Sequence, residues 1–181
     1  KNKIGYAKAV EILTPADERV RPRCKSFTKC GGCQLQHLRY GAQLKLKSKT
    51  VKDALRKIAG IDFDVPVTVK SDFQFEYRNK LQIPVGVDRN GLSVIGFYAE
   101  RTHRIVPMTA CPIHPDWAED IVSAFVSYLH RCGVSGYDEV RRTGVLRHIV
   151  VRETEGNFII TAVTATASLP YEKELIALLQ K

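Results

Sequence analysis

The stretch Cys24-Lys-Ser-Phe-Thr-Lys-Cys30-Gly-Gly-Cys33-Gln-Leu-Gln-His37 decides how the rest of the chain is read. Three cysteines fall within ten residues, and two of them flank a Gly-Gly pair. Glycine lets a backbone fold back tightly and aim successive N–H groups inward. Thiolates converging on one point, with backbone donors around the sulfurs, suit a metal ion or an iron–sulfur cluster. Tetrahedral thiolate sites want four ligands, so the stretch is one short. Only Cys111 and Cys132 remain to complete it.

Two ligand sets are open. A zinc site built from two close pairs would join Cys30 and Cys33 to Cys111 and His114, and would leave Cys24 unused. A cluster would use Cys24, Cys30, Cys33 and Cys111 and leave His114 free. Cys132 lies near the end of an amphipathic helical pattern, where a buried inert thiol is expected.

The chain carries 28 Lys and Arg against 19 Asp and Glu, a net charge of +9. From Arg19 to Lys57 there are twelve bases and one acid, Asp53, so the remaining sixteen bases and eighteen acids nearly balance. A basic surface concentrated beside a candidate metal site is expected to attract a polyanion. No run of about 18 apolar residues suggests a membrane span, and no signal-peptide pattern is present. The expected compartment is therefore the reducing cytoplasm, where an odd set of five cysteines is not a disulfide framework.

Outward from the cysteines, residues 3–13 read as a strand and 36–59 as a helix closed by Gly60. On that helix Leu44, Val51, Leu55 and Ile58 form an apolar stripe, with the cations Lys45, Lys49, Lys52 and Arg56 in a row beside it. Strands are predicted at 65–70, 77–87, 92–98, 104–107, 145–153 and 157–166, with hairpin turns at Asp88-Arg-Asn-Gly91 and Glu155-Gly156. Pro84 predicts an edge or a bulge. A second helix is expected from Asp116 to about Arg131, stopped by Gly133, and a third from about Pro170. The fold class is α+β, an antiparallel sheet with flanking helices and the cysteine loop at one edge. Both ends read as cut: strand 3–13 lacks partners, and Leu175, Ala177 and Leu178 lack a surface to pack on.

The order Cys-x5-Cys-Gly-Gly-Cys-x2-Gln-His, a lysine-rich helix, Tyr77-Arg-Asn-Lys80, Gly96-Phe97, a distant Cys111-Pro112 and Gly144-Val-Leu-Arg-His-Ile-Val-Val-Arg152 resembles the bacterial uracil-5 RNA methyltransferases. In particular it resembles the 23S ribosomal RNA branch that carries a 4Fe-4S cluster. That resemblance implies three segments. Residues 1–22 would be the last strand of an N-terminal TRAM-like β-barrel plus a connector. Residues 23–168 would be the central, cluster-bearing RNA-binding domain, and 169–181 the entry to a catalytic domain. It implies a cluster on Cys24, Cys30, Cys33 and Cys111, and RNA contacts from Lys45, Lys49, Lys52, Arg56, Arg78, Lys80, Arg147, His37 and Phe97. In the family, S-adenosylmethionine (SAM) binds the C-terminal domain, where a cysteine attacks C6 of uracil and a carboxylate removes the C5 proton. No Gly-rich turn after a strand and no comparable nucleophile motif occurs in this chain. The expectation is a monomeric RNA grip that is catalytically silent alone. The competing expectation is a complete zinc-stabilised RNA-binding module.

Overall fold

The computed structural model describes residues 5, 7 and 9–180. The chain divides into two compact units. One comprises the described part of Lys1–Arg21 with Leu35–Val69; the other comprises Pro22–Gln34 with Lys70–Gln180. The segment 23–168 expected as one domain is thus shared by both units, and 169–180 lies in the same unit as the sheet.

The second unit is built on five antiparallel strands in the order β3-β2-β1-β4-β5. They are β1 (Lys80–Val87), β2 (Ser93–Tyr98), β3 (Ile105–Pro107), β4 (Leu146–Thr154) and β5 (Asn157–Thr164). Helix α2 (Trp117–Cys132) lies against one face, with α3 (Glu172–Leu179) beside it. The shared core holds Leu81, Ile83 and Val85 of β1, Ile149 and Val151 of β4, and Phe125 and Tyr128 of α2. Both predicted hairpins form. At the first, the Asp88 carboxylate accepts from the N–H groups of Asn90 and Leu92 while Gly91 takes φ +80°. At the second, Glu155 and Gly156 both adopt positive φ, 52° and 76°, as a two-residue hairpin of matching twist requires.

Three expectations are corrected in this unit. Pro84 lies in the central strand, not at an edge. It is tolerated because β1 pairs with β4 through Lys80–Pro84 and with β2 through Val85–Val87, so the missing N–H falls where one ladder hands over to the other. Arg78 precedes β1 in irregular backbone rather than alternating with Lys80 along a strand. The third helix does have a packing surface: Leu175 is buried in the core and Leu178 packs against it. The Tyr128 hydroxyl also donates to the Pro170 carbonyl just before α3.

The first unit is organised around α1 (Tyr40–Ala54), which runs into a π-helical turn over Leu55–Ala59 and ends at Gly60 with φ +69°. Backbone bonds Val20 N–H to His37 C=O and Arg39 N–H to Glu18 C=O, both near 2.9 Å, tie the entry of this helix to the preceding connector. The expected apolar stripe is not buried: Val51 is 50% and Ile58 86% exposed. Ser48 is the buried residue of α1, its hydroxyl 2.9 Å from that of Thr68 and accepting from the Thr68 N–H at 2.7 Å. Residues 65–70 form no strand; the Thr68 backbone bonds a helix side chain where a strand would bond a neighbouring strand. The described residues of the predicted strand 3–13 carry no strand either, and the rest of it lies outside the described residues.

Candidate functional site

In the second unit the cysteine loop is a series of tight turns. Cys30 N–H bonds the Ser26 carbonyl at 2.8 Å, and the Gly32 N–H points at the Cys30 Sγ at 3.4 Å. Gly31 docks the loop on the sheet by donating its N–H to the Tyr98 carbonyl at 2.9 Å. A Cβ on Gly31 would stand 3.0 Å from Glu100 Cα and N and 3.1 Å from the Tyr98 oxygen. That glycine is thus required by close backbone approach, and neither glycine of the pair has a positive φ. At the other end of the loop, Arg23 lies 4.9 Å over the Phe75 ring and pairs with Glu76 at 3.4 Å. The Glu76 N–H bonds the Pro112 carbonyl at 2.9 Å, next to Cys111. Loop and distant cysteine are therefore pinned to a common segment.

All five cysteines are free and half-buried. Burial raises the Cys30 thiol, and the charges of Cys33 and Cys24 raise it further against the Gly32 N–H. Burial raises Cys111 as well, with Cys33, Cys24 and Cys30 adding to it against the Ile113 N–H. Charge on the neighbouring thiols thus opposes ionisation of Cys30 and of Cys111. That is the electrostatic state a cationic centre among them relieves. Cys132 packs against the core at the end of α2.

Among the described residues no group of three or more His, Cys, Asp or Glu side chains could hold a metal ion. His114, a member of the expected zinc set, is buried with both ring nitrogens beside a partner. Nε2 lies 3.2 Å from the Lys80 carbonyl and Nδ1 3.3 Å from the Cys111 Sγ. Burial, reinforced by the charge of Arg78, lowers the His114 pKa against the pull of the Lys80 carbonyl. His114 thus bridges Cys111 and the Lys80 carbonyl.

The expected RNA contacts fall on both units. On α1 and the π-helical turn after it, three of the four cations have acidic partners: Lys49 with Asp53, Lys52 with Asp64 at 2.9 Å, and Arg56 with Asp53 at 4.0 Å. Lys45 has none among the described residues. Asp64 lies beyond the basic run, so its role was invisible in a charge count that ended at Lys57. His37 is half-buried, its carbonyl used by Val20. In the second unit Phe97 stacks on His114, with ring centroids 6.0 Å apart, and packs against the core. It is not an open platform for a base. Arg147 lies 4.5 Å over the Tyr137 ring and donates to Glu139 at 3.1 Å, so it is engaged internally. Lys80 stands at the start of β1, across from Arg152 of β4. Sequence reasoning passed over Arg152, although its position three residues after the buried Ile149 already places it on the outer face.

No protein-family model matches the chain. The chain is 42% identical over 174 residues to a protein of Clostridium tetani named as an uncharacterized RNA methyltransferase, covering 95% of this chain and 38% of that one. It is 37% identical over 180 residues to a similarly named protein of Halalkalibacterium halodurans, covering 98% and 39%. Among solved structures it matches the Pyrococcus abyssi tRNA (uracil-54, C5)-methyltransferase in complex with S-adenosyl-L-homocysteine. The TM-score is 0.68 at 26% identity, over 91% of this chain and 37% of that one. Over this stretch the chain is similar to RNA methyltransferases. It spans somewhat over a third of the length of these methyltransferase relatives. Among its described residues no helix is long and apolar enough to cross a membrane.

Proposed function

We propose that this chain is the RNA-gripping, cluster-bearing part of a SAM-dependent methyltransferase that modifies C5 of a uridine in ribosomal RNA. The observation that carries it is the gathering of four free thiols within one unit, with the loop that bears three of them seated on the sheet through Gly31. Cys24, Cys30, Cys33 and Cys111 would hold a 4Fe-4S cluster, which when bound supplies a crosslink between the loop and the Cys111 turn. His114 would keep Cys111 in place. The cations of α1 would meet RNA phosphates. The cysteine stretch favours the ribosomal branch over tRNA. SAM binding and methyl transfer belong to parts of the protein outside these residues, and this chain acts in the cytoplasm as a monomer without methylating RNA by itself.

The test is anaerobic purification with iron, sulfide and zinc analysis. The expected result is a brown protein absorbing near about 400 nm with iron and sulfide in equal amounts. Cys24→Ser and Cys111→Ser should lose the colour, and Cys132→Ser should keep it. A colourless protein with one zinc per chain, or full iron in Cys24→Ser, overturns the cluster. Methyl incorporation into uridine by this chain alone overturns the division of labour.

A further inference from the structure

Strand residues alternate between the two faces of a sheet. Leu81, Ile83, Ile149 and Val151 are fully buried on the helix side. Lys80, Gln82, Val150 and Arg152 consequently stand on the other face. The register sets Lys80 opposite Arg152 and Gln82 opposite Val150; on β5 Ile159 stands beside Arg152 and Thr161 beside Val150. Arg152 and Gln82 are exposed, and Ile159 is 70% exposed, so this face is open. Between the rows at Pro84–His148–Val163 and Lys80–Arg152–Ile159 it carries no acid. Neither Lys80 nor Arg152 takes part in an ion pair among the described residues. Like charges directly opposite on neighbouring strands destabilise a sheet, their Cβ atoms being about 4.5–5.5 Å apart. A repulsive pair of this kind has an evident use if an anion bridges it.

We infer that Lys80 and Arg152 clamp one backbone phosphate of a single-stranded RNA segment laid across the open sheet face. Gln82 and Thr161 offer neutral hydrogen bonds one row further on. That row is two residues along the strand, about 6.8 Å away, roughly one nucleotide of extended backbone. Val150 and Ile159 give the sugars an apolar floor. Phe97 is turned to the opposite side, so nothing here stacks on a base, and the clamp binds without regard to sequence. This inference rests on the RNA-binding reading above and adds to it a second contact surface, on the other unit from α1.

The experiment titrates salt against binding of labelled single-stranded RNA oligonucleotides of several sequences, using this chain and its Lys80→Gln/Arg152→Gln double variant. Loss of one or two phosphate contacts should flatten the log–log salt slope by about 0.7 to 1.4. Affinity should fall about tenfold on every sequence. The melting temperature should rise by up to about 3 °C, because the repulsion is gone. A lower melting temperature together with weaker binding would mean a structural role and overturns the clamp. So does an unchanged slope, and so does an equal flattening in Arg131→Gln, which removes an exposed cation from α2 instead. If the unaltered chain binds RNA with a steep slope and only the double variant is silent in effect, the clamp fails and the function above stands. If the unaltered chain binds no RNA, the functional reading fails and the clamp with it.

Discussion

Helices α1 and α2 are nearly equal in length, 15 and 16 residues, and both carry apolar residues at helical spacing. They end in opposite states. Helix α2 buries Ala118, Ile121, Val122, Phe125, Tyr128 and Leu129 against the sheet, whereas α1 buries one residue, Ser48. A 3.6-residue period reports which face a helix can bury, and the partner decides whether it does. Helix α2 has a sheet whose inner face is Leu81, Ile83, Ile149 and Val151. Helix α1 is held in its own unit by a serine hydroxyl, by Gln43 donating to the Leu35 and Leu38 carbonyls, and by exposed ion pairs. One helix is a structural slab, and the other is a carrier of surface charge.

The sharpest way to break that contrast is to truncate one apolar side chain on each helix. Phe125→Ala empties a fully buried site in α2 and should cost about 3–5 kcal/mol. Val51→Ala on α1 should change stability by less than about 0.5 kcal/mol, since Val51 is already half exposed. Denaturant unfolding followed by amide exchange in β1 and β4 reads the first, and the same measurement in α1 reads the second. Comparable losses in the two variants would show that α1 is packed as firmly as α2.

The second prediction concerns how the α2 slab is extended to α3. The Tyr128 hydroxyl donates to the Pro170 carbonyl, and burial, with the charges of Cys132 and Glu174, pushes its pKa up to about 12. Tyr128→Phe leaves that carbonyl without its donor and should cost about 1–3 kcal/mol. The pH dependence carries a sign. An unfolded tyrosine loses its proton near about pH 10, before the folded one does, so the unfolded state is favoured as pH rises from about 10 to 12. The native protein should lose stability across that window more steeply than the Phe variant. Parallel pH profiles would mean that Tyr128 is not held as the structure places it.

What was legible in the sequence follows the same division. The turns at Asn90-Gly91 and Glu155-Gly156, the stops at Gly60 and Gly133, and the start of α2 at Asp116 are local chemistry, and each forms where it was read. The positions of Pro84, Phe97 and Arg147 depend on which strands meet. Pro84 is central because two half-ladders meet at it, Phe97 is core because His114 arrives from another loop, and Arg147 is spent on Tyr137 and Glu139. The tight turns of the Cys24–Cys33 stretch were legible because Gly31 and Gly32 stand between two of its cysteines. That His114 would hold Cys111 through one ring nitrogen and a backbone carbonyl through the other was not, since no spacing rule encodes it.

The smallest expected effect sharpens the α1 side, and it turns on the acids. Lys49, Lys52 and Arg56 were read as a bare row of cations, yet Asp53 and Asp64 stand against them. Exposed ion pairs contribute about 0–1 kcal/mol, so a phosphate readily displaces either carboxylate, but the carboxylates still subtract from the local charge. Replacing Lys49 and Lys52 together by alanine should hardly alter stability while flattening the salt slope of RNA binding by about one to two units. Asp53→Asn with Asp64→Asn should do the reverse, strengthening binding at low salt. The Asp53 carboxyl, held below its usual range chiefly by its bond from Lys49, should relax upward in Lys49→Ala by proton-detected titration. If removing the acids weakens RNA binding as much as removing the lysines does, the pairs are what shapes the surface. The α1 cations would then be a structural network rather than a charge reserved for RNA.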